Sequence, residues 1–174
     1  MAPGGETATE ARRFAVDRML GRLARWLRVL GHDVAYGPHL RGWTLATCAR
    51  RESRLLLTRD TRLLRDPELP PHLFVTSNDF RAQLRQVAAV LPIVPGLPFG
   101  RCLRCNRVLE DVPRAAARER VPPYVWETNA RFLGCRSCHR LYWPATHHDH
   151  MRRELAALGL LAARSDDERP EPRT

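Results

Sequence analysis

The chain contains no lysine. All 29 of its cationic side chains are arginine, set against 19 acidic residues in 174, for a formal net charge of +10. Nor is there a run approaching the roughly 18 apolar residues of a membrane span, which sets aside a bilayer-crossing helix and a membrane partner of that kind. The first thirty residues lack a continuous apolar stretch, so a secretory leader is not expected and the expected compartment is the cytoplasm. Richness in Ala, Pro and Leu accompanies the missing lysine, as a GC-biased codon usage would produce, and this accounts for the larger share of the arginine. Guanidinium still forks onto phosphate and stacks on bases in ways an ammonium cannot. At 44% hydrophobic residues the chain can build a core, which argues against wholesale disorder. Its length suits one α/β domain, or a compact domain plus a small module.

The charge is spread along the chain. Residues 1–100 carry a net +6 and residues 101–174 a net +4, so no single basic tail holds it. Such an excess points to a polyanion, nucleic acid first and an acidic membrane surface second. Residues 1–12 and 164–174 read as polar tails. The Pro- and Gly-rich stretch 91–100 marks the internal boundary, giving one domain over 13–95 and a second unit over 96–163.

Within 13–95 the pattern alternates. Phe14–Val16, Asp33–Tyr36, Arg54–Thr58 and Leu73–Thr76 read as short strands. Arg18–Leu30, with Met19, Leu20, Leu23, Trp26, Leu27 and Leu30 at helical spacing, reads as a helix closed by Gly31. Thr44–Arg51 gives a second helix, and a third runs from a cap at Asn78 or Asp79 to about Leu91. Strands alternating with helices predict an α/β fold with a mostly parallel sheet and helices on its faces.

After the boundary the texture changes to cysteines, aromatics and prolines, with a last helix expected over Asp149–Leu161. Four of the five cysteines fall as Cys102-x-x-Cys105 and Cys135-x-x-Cys138. Two such pairs supply the four thiolates of a tetrahedral Zn²⁺ site, which is the reading this spacing supports best. Disulfides fit a cytosolic chain poorly, a redox motif needs only one pair, and an iron–sulfur cluster would use the same ligands. The metal would replace a core in a segment with few aliphatic residues. The long spacing between the pairs requires an inserted loop or hairpin. Cys48 is expected as a small buried hydrophobe.

In a parallel sheet, function gathers at the carboxyl ends of the strands. Asp17, Asp60 and Asp79 fall there, and acids brought together suit Mg²⁺ or Mn²⁺ activating a water against a phosphodiester. An alternative reading has Asp60 opening a turn and Asp79 capping a helix. Asp17, after an apolar strand, gains nothing from burial unless paired. Arg18, Arg22, Arg25 and Arg28 recur on one side of the first helix, as a solvated face or a backbone-phosphate track. His147, His148 and His150 form a cluster at a helix start.

These blocks, RFAVDRMLGRLARWLRVLGHDV, ESRLLLTRDTRLL, RCLRCNRVL and FLGCRSCHRLYWPATHHDHM, resemble in that order the Mut-seven C-terminal RNase domain family. The resemblance spans about residues 13–155. It implies a PIN-like three-layer α/β/α sandwich followed by a zinc ribbon, and a metal-dependent ribonuclease whose catalytic acids match Asp17 and Asp60, with Asp79 as a last-strand acid. Cys102, Cys105, Cys135 and Cys138 match the ribbon ligands, and His147 the histidine after the Tyr-Trp pair. RNA, single-stranded or structured, would then be held by Arg18, Arg22, Arg25, Arg59, Arg104, Arg107, Trp143 and His147. Arg101 and Tyr142 would add a basic and a stacking contact. The chain departs from the pattern at Arg41–Thr44, where relatives often carry a further acid. Glu52, at the other end of that helix, is a poor substitute. The alternative expectation is therefore a non-catalytic RNA-binding or ribosome-associated protein on the same scaffold. Backbone contacts alone do not separate RNA from DNA.

Overall fold

The computed structural model describes residues 12–90, 98–144 and 146–161. The expected tails and most of the 91–100 boundary lie outside the described residues. Four strands, β1 (Arg13–Val16), β2 (Asp33–Ala35), β3 (Leu55–Thr58) and β4 (His72–Phe74), form an all-parallel sheet in the order β2-β1-β3-β4. Helix α1 (Gly21–Val29) connects β1 to β2, α2 (Trp43–Arg51) connects β2 to β3, and α3 (Phe80–Val90) follows β4. The chain leaves β1 in one direction across the sheet and returns past it in the other. Right-handed crossovers in opposite directions place their helices on opposite faces.

Burial shows the two faces directly. Phe14, Val16 and Leu57 pack with α1 and α3 in a large core that also receives Leu155 and Leu160. Their neighbours Ala15 and Leu56 point the other way, onto Leu45 and Ala49 of α2. This alternation with a period of two is what a sheet covered on both sides requires, and it makes the expected α/β/α sandwich. The first helix opens with a 3-10 turn over Arg18–Leu20 before α1. It is closed by Gly31 at φ 89°, a backbone conformation that a residue with a Cβ adopts only at a cost.

The second unit is a three-stranded antiparallel sheet, β5 (Glu110–Val112), β6 (Phe132–Gly134) and β7 (Leu141–Tyr142), in that order. The insertion expected as a loop or hairpin is instead helical: α4 (Arg114–Ala117), a 3-10 turn and α5 (Pro123–Thr128). Ala117, Val121 and Val125 bury against Phe132, so the insertion carries a small core of its own. The last helix, α6 (Thr146–Ala157), starts three residues before the expected Asp149.

The ribbon is fastened to the edge of the first sheet by side chains standing in for a strand. Asn106 accepts from the Val34 N–H at 2.9 Å and donates to Asp33 at 2.7 Å, so the exposed edge of β2 is paired. Arg28 does not join the solvent-facing arginines. It is buried, donating to Val34 O at 2.7 Å and to Leu103 O at 2.9 Å. A buried guanidinium with three carbonyl partners (Arg104 O is the third) clamps sheet to ribbon and is unavailable to a ligand.

Candidate active site and metal centre

The sheet order creates a switch point between β1 and β3, where connections depart in opposite directions; in open α/β sheets ligands bind beyond the carboxyl ends at such a point. Asp17 is the first residue beyond β1, and Asp60 lies two beyond the end of β3. Both expected acids therefore lie just beyond the strand ends at that switch point. Asp17 is 7% exposed and has no ion-pair partner among the described residues. Its Oδ2 accepts from the Thr58 hydroxyl at 2.9 Å and the Arg59 N–H at 3.4 Å, and its Oδ1 from the Met19 N–H at 3.2 Å. The Thr58 oxygen also accepts from the Asp60 N–H at 3.0 Å, so one hydroxyl joins the two acids.

Asp60 is tied down differently. Its carboxylate receives the Arg62 backbone N–H and guanidinium, both at 3.0 Å to Oδ1. The Arg62 hydrogen bond holds its carboxyl below the usual carboxylate range. Asp79 is an exposed helix cap, with Oδ1 accepting from Arg81 N and Ala82 N. Among the described residues the three acids do not form a cluster with oxygens within 4.8 Å of one another. Glu52 bonds Arg54 Nε at 2.7 Å at the amino edge of the sheet, away from this switch point. Thr58 and Arg62 were not singled out by the sequence. The Leu-Leu-Thr-Arg-Asp-Thr-Arg run placed them beside Asp60, and only the fold shows what they touch.

The expected nucleic-acid contacts divide. Arg18 is exposed beside Asp17, and the Arg22 guanidinium lies 3.7 Å over the Phe80 ring. Arg59 crosses to the β4–α3 loop, donating to Asn78 and Thr76, which commits its guanidinium to structure. Arg25 and Arg104 are exposed, and both line a cleft with Trp143. Arg107 is exposed on the other side of the ribbon, beside β2. The side chain of His147 lies outside the described residues. Cys48 is half-buried rather than buried, its thiol against Glu52, whose charge and hydrogen bond add to burial in pushing that thiol up.

The cysteine centre is compact. Sγ atoms of Cys102, Cys105, Cys135 and Cys138 all lie within 4.8 Å of one another, and Cys102 Sγ is 3.6 Å from Cys138 Sγ. Zn–S bonds of about 2.3 Å in a tetrahedron give S···S edges of roughly 3.8 Å, so the four thiols fit a zinc ion. The two cysteine turns are equivalent. Each closes with an N–H to the first cysteine's carbonyl, from Asn106 to Cys102 and from His139 to Cys135, both at 2.8 Å. Both of these residues take positive φ, 65° and 58°. Burial opposes ionisation of Cys102. Hydrogen bonds from the Tyr142 hydroxyl and the Cys105 and Arg104 backbone outweigh it and hold that thiol at about 6. A thiolate preformed in this way is what a metal ligand needs.

A model of the Mut7-C RNAse domain matches residues 12–155, most of the chain. The chain belongs to the Mut7-C RNAse domain family. No curated protein and no solved structure matches it. Membership in the Mut7-C RNAse family points to an RNase-type function. It covers both the switch-point acids and the four cysteines, which could bind a structural metal such as zinc. No helix among the described residues is long and apolar enough to cross a membrane.

Proposed function

We propose that this Mut7-C protein is a cytoplasmic, metal-dependent ribonuclease with a structural zinc ribbon, divided as a nuclease domain over 13–95 and a ribbon over 96–163. The observation carrying this reading is the pair Asp17 and Asp60 at the switch point of the sheet, joined through the Thr58 hydroxyl. A buried carboxylate without a cationic partner is costly, and a divalent cation supplies that partner. Asp17 and Asp60 fit as its oxygen donors, and Asp79, whose Oδ2 carries no hydrogen bond among the described residues, is the third candidate. When bound, Mg²⁺ or Mn²⁺ neutralises phosphate charge and lowers the pKa of water for hydrolysis of a phosphodiester.

The chain's own residues prepare that site. Thr58 and the Arg59 N–H fix Asp17 Oδ2, which orients the carboxylate toward one geometry. Arg18 and Arg22 supply positive charge next to Asp17 for the RNA backbone. The exposed Arg62 holds Asp60 until displaced, and an ion pair so exposed gives way at little cost.

One experiment tests the reading: zinc-loaded protein incubated with end-labelled single-stranded RNA, with and without added Mn²⁺ or Mg²⁺. Cleavage on addition of the ion supports it, and cleavage independent of any added ion contradicts it. A second reading, a non-catalytic RNA-binding protein, is favoured by Asp79's engagement as a helix cap. It predicts RNA binding without cleavage in both arms.

A further inference from the structure

A cleft of about 550 Å³ opens between the ribbon, α1 and α6. Its volume falls in the range of ligand sites. Phe99, Tyr142 and Trp143 line it together with the guanidinium-bearing Arg25, Arg104 and Arg140. The acids on its wall are already neutralised. Asp111 is paired with Arg131 at 2.8 Å, and Glu110 with Arg136. Arg25, Arg104 and Arg140, by contrast, make no side-chain hydrogen bond or ion pair among the described residues, so the cleft keeps an excess of positive charge.

The rings are held in place. Tyr142 is fixed by its hydroxyl, which lies 3.1 Å from Cys102 Sγ and accepts from Leu103 N at 3.2 Å. Trp143 packs against Phe132, with ring centroids 6.5 Å apart. Rings positioned in advance lose little entropy when a base stacks on them. A larger cavity, of about 1050 Å³, lies beside β2, where Arg28, Arg54, Arg101 and Arg136 are bonded, and Arg107 and the shared Arg104 are not, among the described residues. It offers those two arginines one phenol ring, Tyr36, where the cleft sets three unbonded arginines beside Tyr142 and Trp143.

We propose that the cleft binds an unpaired stretch of RNA, its bases against Tyr142 and Trp143 and its phosphates on Arg25, Arg104 and Arg140; Phe99, whose ring already meets that of His148 at 3.5 Å, forms the floor. The inference rests on the RNA-directed reading of the acid site and deepens it by naming the substrate class as single-stranded. Arg18, Arg22 and Arg25 link the two places. With a rise of about 2.0 Å per residue through the 3-10 turn and about 1.5 Å through α1, Arg25 lies roughly 14 Å along the axis from Asp17. A strand held in the cleft can therefore pass the acids a short distance away. A duplex hides its base faces and cannot use the rings.

The test measures binding without cleavage. Full-length, zinc-loaded Asp17→Asn protein is titrated, with no added Mg²⁺ or Mn²⁺, against a fluorescently labelled RNA 12-mer, alone and annealed to its complement. The expected result is tighter binding of the single strand. Arg25→Gln with Arg140→Gln should weaken it about ten-fold and reduce the slope of log K against log salt by about 1.4. A control pair of equal charge change away from the cleft, Arg51→Gln with Arg85→Gln, should have a smaller effect. Photocrosslinking of 5-bromouridine-substituted RNA should map to Tyr142 or Trp143, a readout that needs no substitution of a packed ring. Equal weakening by the two pairs, preference for duplex, or crosslinks confined to other residues would each overturn the proposal. A chain that binds in this way but never cleaves refutes the nuclease reading alone. One that cleaves while the cleft pair leaves binding unchanged refutes the cleft alone.

Discussion

The Thr58 hydroxyl donates to Asp17 Oδ2 at 2.9 Å, across the junction of two parallel strands whose ends define the switch point. Thr58 is fully buried, so this bond is shielded from water and fixes the carboxylate in one orientation. Replacing it with the isosteric valine removes the donor and leaves Asp17 less satisfied, at a cost of about 1–3 kcal/mol. Thr58→Val is expected to lower the unfolding midpoint in urea and reduce RNA cleavage at least ten-fold, while Thr58→Ser keeps most of both. Equal activity in the valine and wild-type proteins would remove Thr58 from the site.

Arg62 occupies the Asp60 carboxylate that the proposed divalent ion would use. Its side chain is 85% exposed, so the pair is weak and screened. Arg62→Ala should lower the Mn²⁺ concentration for half-maximal cleavage by up to about five-fold. A Mn²⁺ titration of the two proteins at matched ionic strength reads this directly. An unchanged or higher requirement would mean that Asp60 does not hold the ion.

Tyr142 supports the four-cysteine centre from outside, through its hydroxyl on Cys102 Sγ. Partners of metal ligands typically contribute 10–100-fold in affinity, so Tyr142→Phe should weaken zinc binding by roughly ten-fold or more. Competition against a chromophoric chelator measures it. Cys138→Ser, which removes a ligand, should abolish stoichiometric zinc and loosen the ribbon.

His32 gives a pH dependence unrelated to catalysis. It is fully buried with neither ring nitrogen hydrogen-bonded, and it meets Phe14 edge-on. Burial first, then the charges of Arg101 and Arg12, lower its pKa from 6.5 to about 4. The folded chain keeps it neutral while the unfolded chain takes a proton near 6.5. Its contribution is therefore complete above that pH and is lost as pH falls toward 4. Between pH 7 and 5 the expected loss is about 2 kcal/mol. His32→Leu should flatten this part of the stability profile in urea unfolding, and an unchanged profile would contradict the assignment.

Much of this architecture was legible because local pattern and global fold agree. Phe14–Val16, Leu55–Thr58 and the α1 stripe each bury what their periodicity exposes to the core, and the cysteine spacing places four thiols together. The missed features depend on long-range partners. Arg28 shares a helical side with Arg22 and Arg25 in sequence, yet it turns inward because carbonyls of the ribbon, 75 and 76 residues away, receive it. Asn106 reads as an ordinary turn residue until the unpaired edge of β2 is seen to need it. Helices α4 and α5 are only four and six residues long, too short for a periodic signal. Asp17 and Asp60 could be placed after strand ends from the sequence, whereas Asp79's role as a cap was one of two readings its position allowed.

The central claim is that Asp17 and Asp60 together carry metal-dependent RNA cleavage. Its most direct measurement is the single-turnover cleavage rate of labelled single-stranded RNA at saturating Mn²⁺ for the wild-type, Asp17→Asn and Asp60→Asn proteins, each confirmed to be zinc-loaded and folded. Loss of a metal-holding carboxylate should slow cleavage by at least about 100-fold in both variants, since several kcal/mol of transition-state stabilisation come through the ion. Rates within a few-fold of wild type in either variant would contradict it.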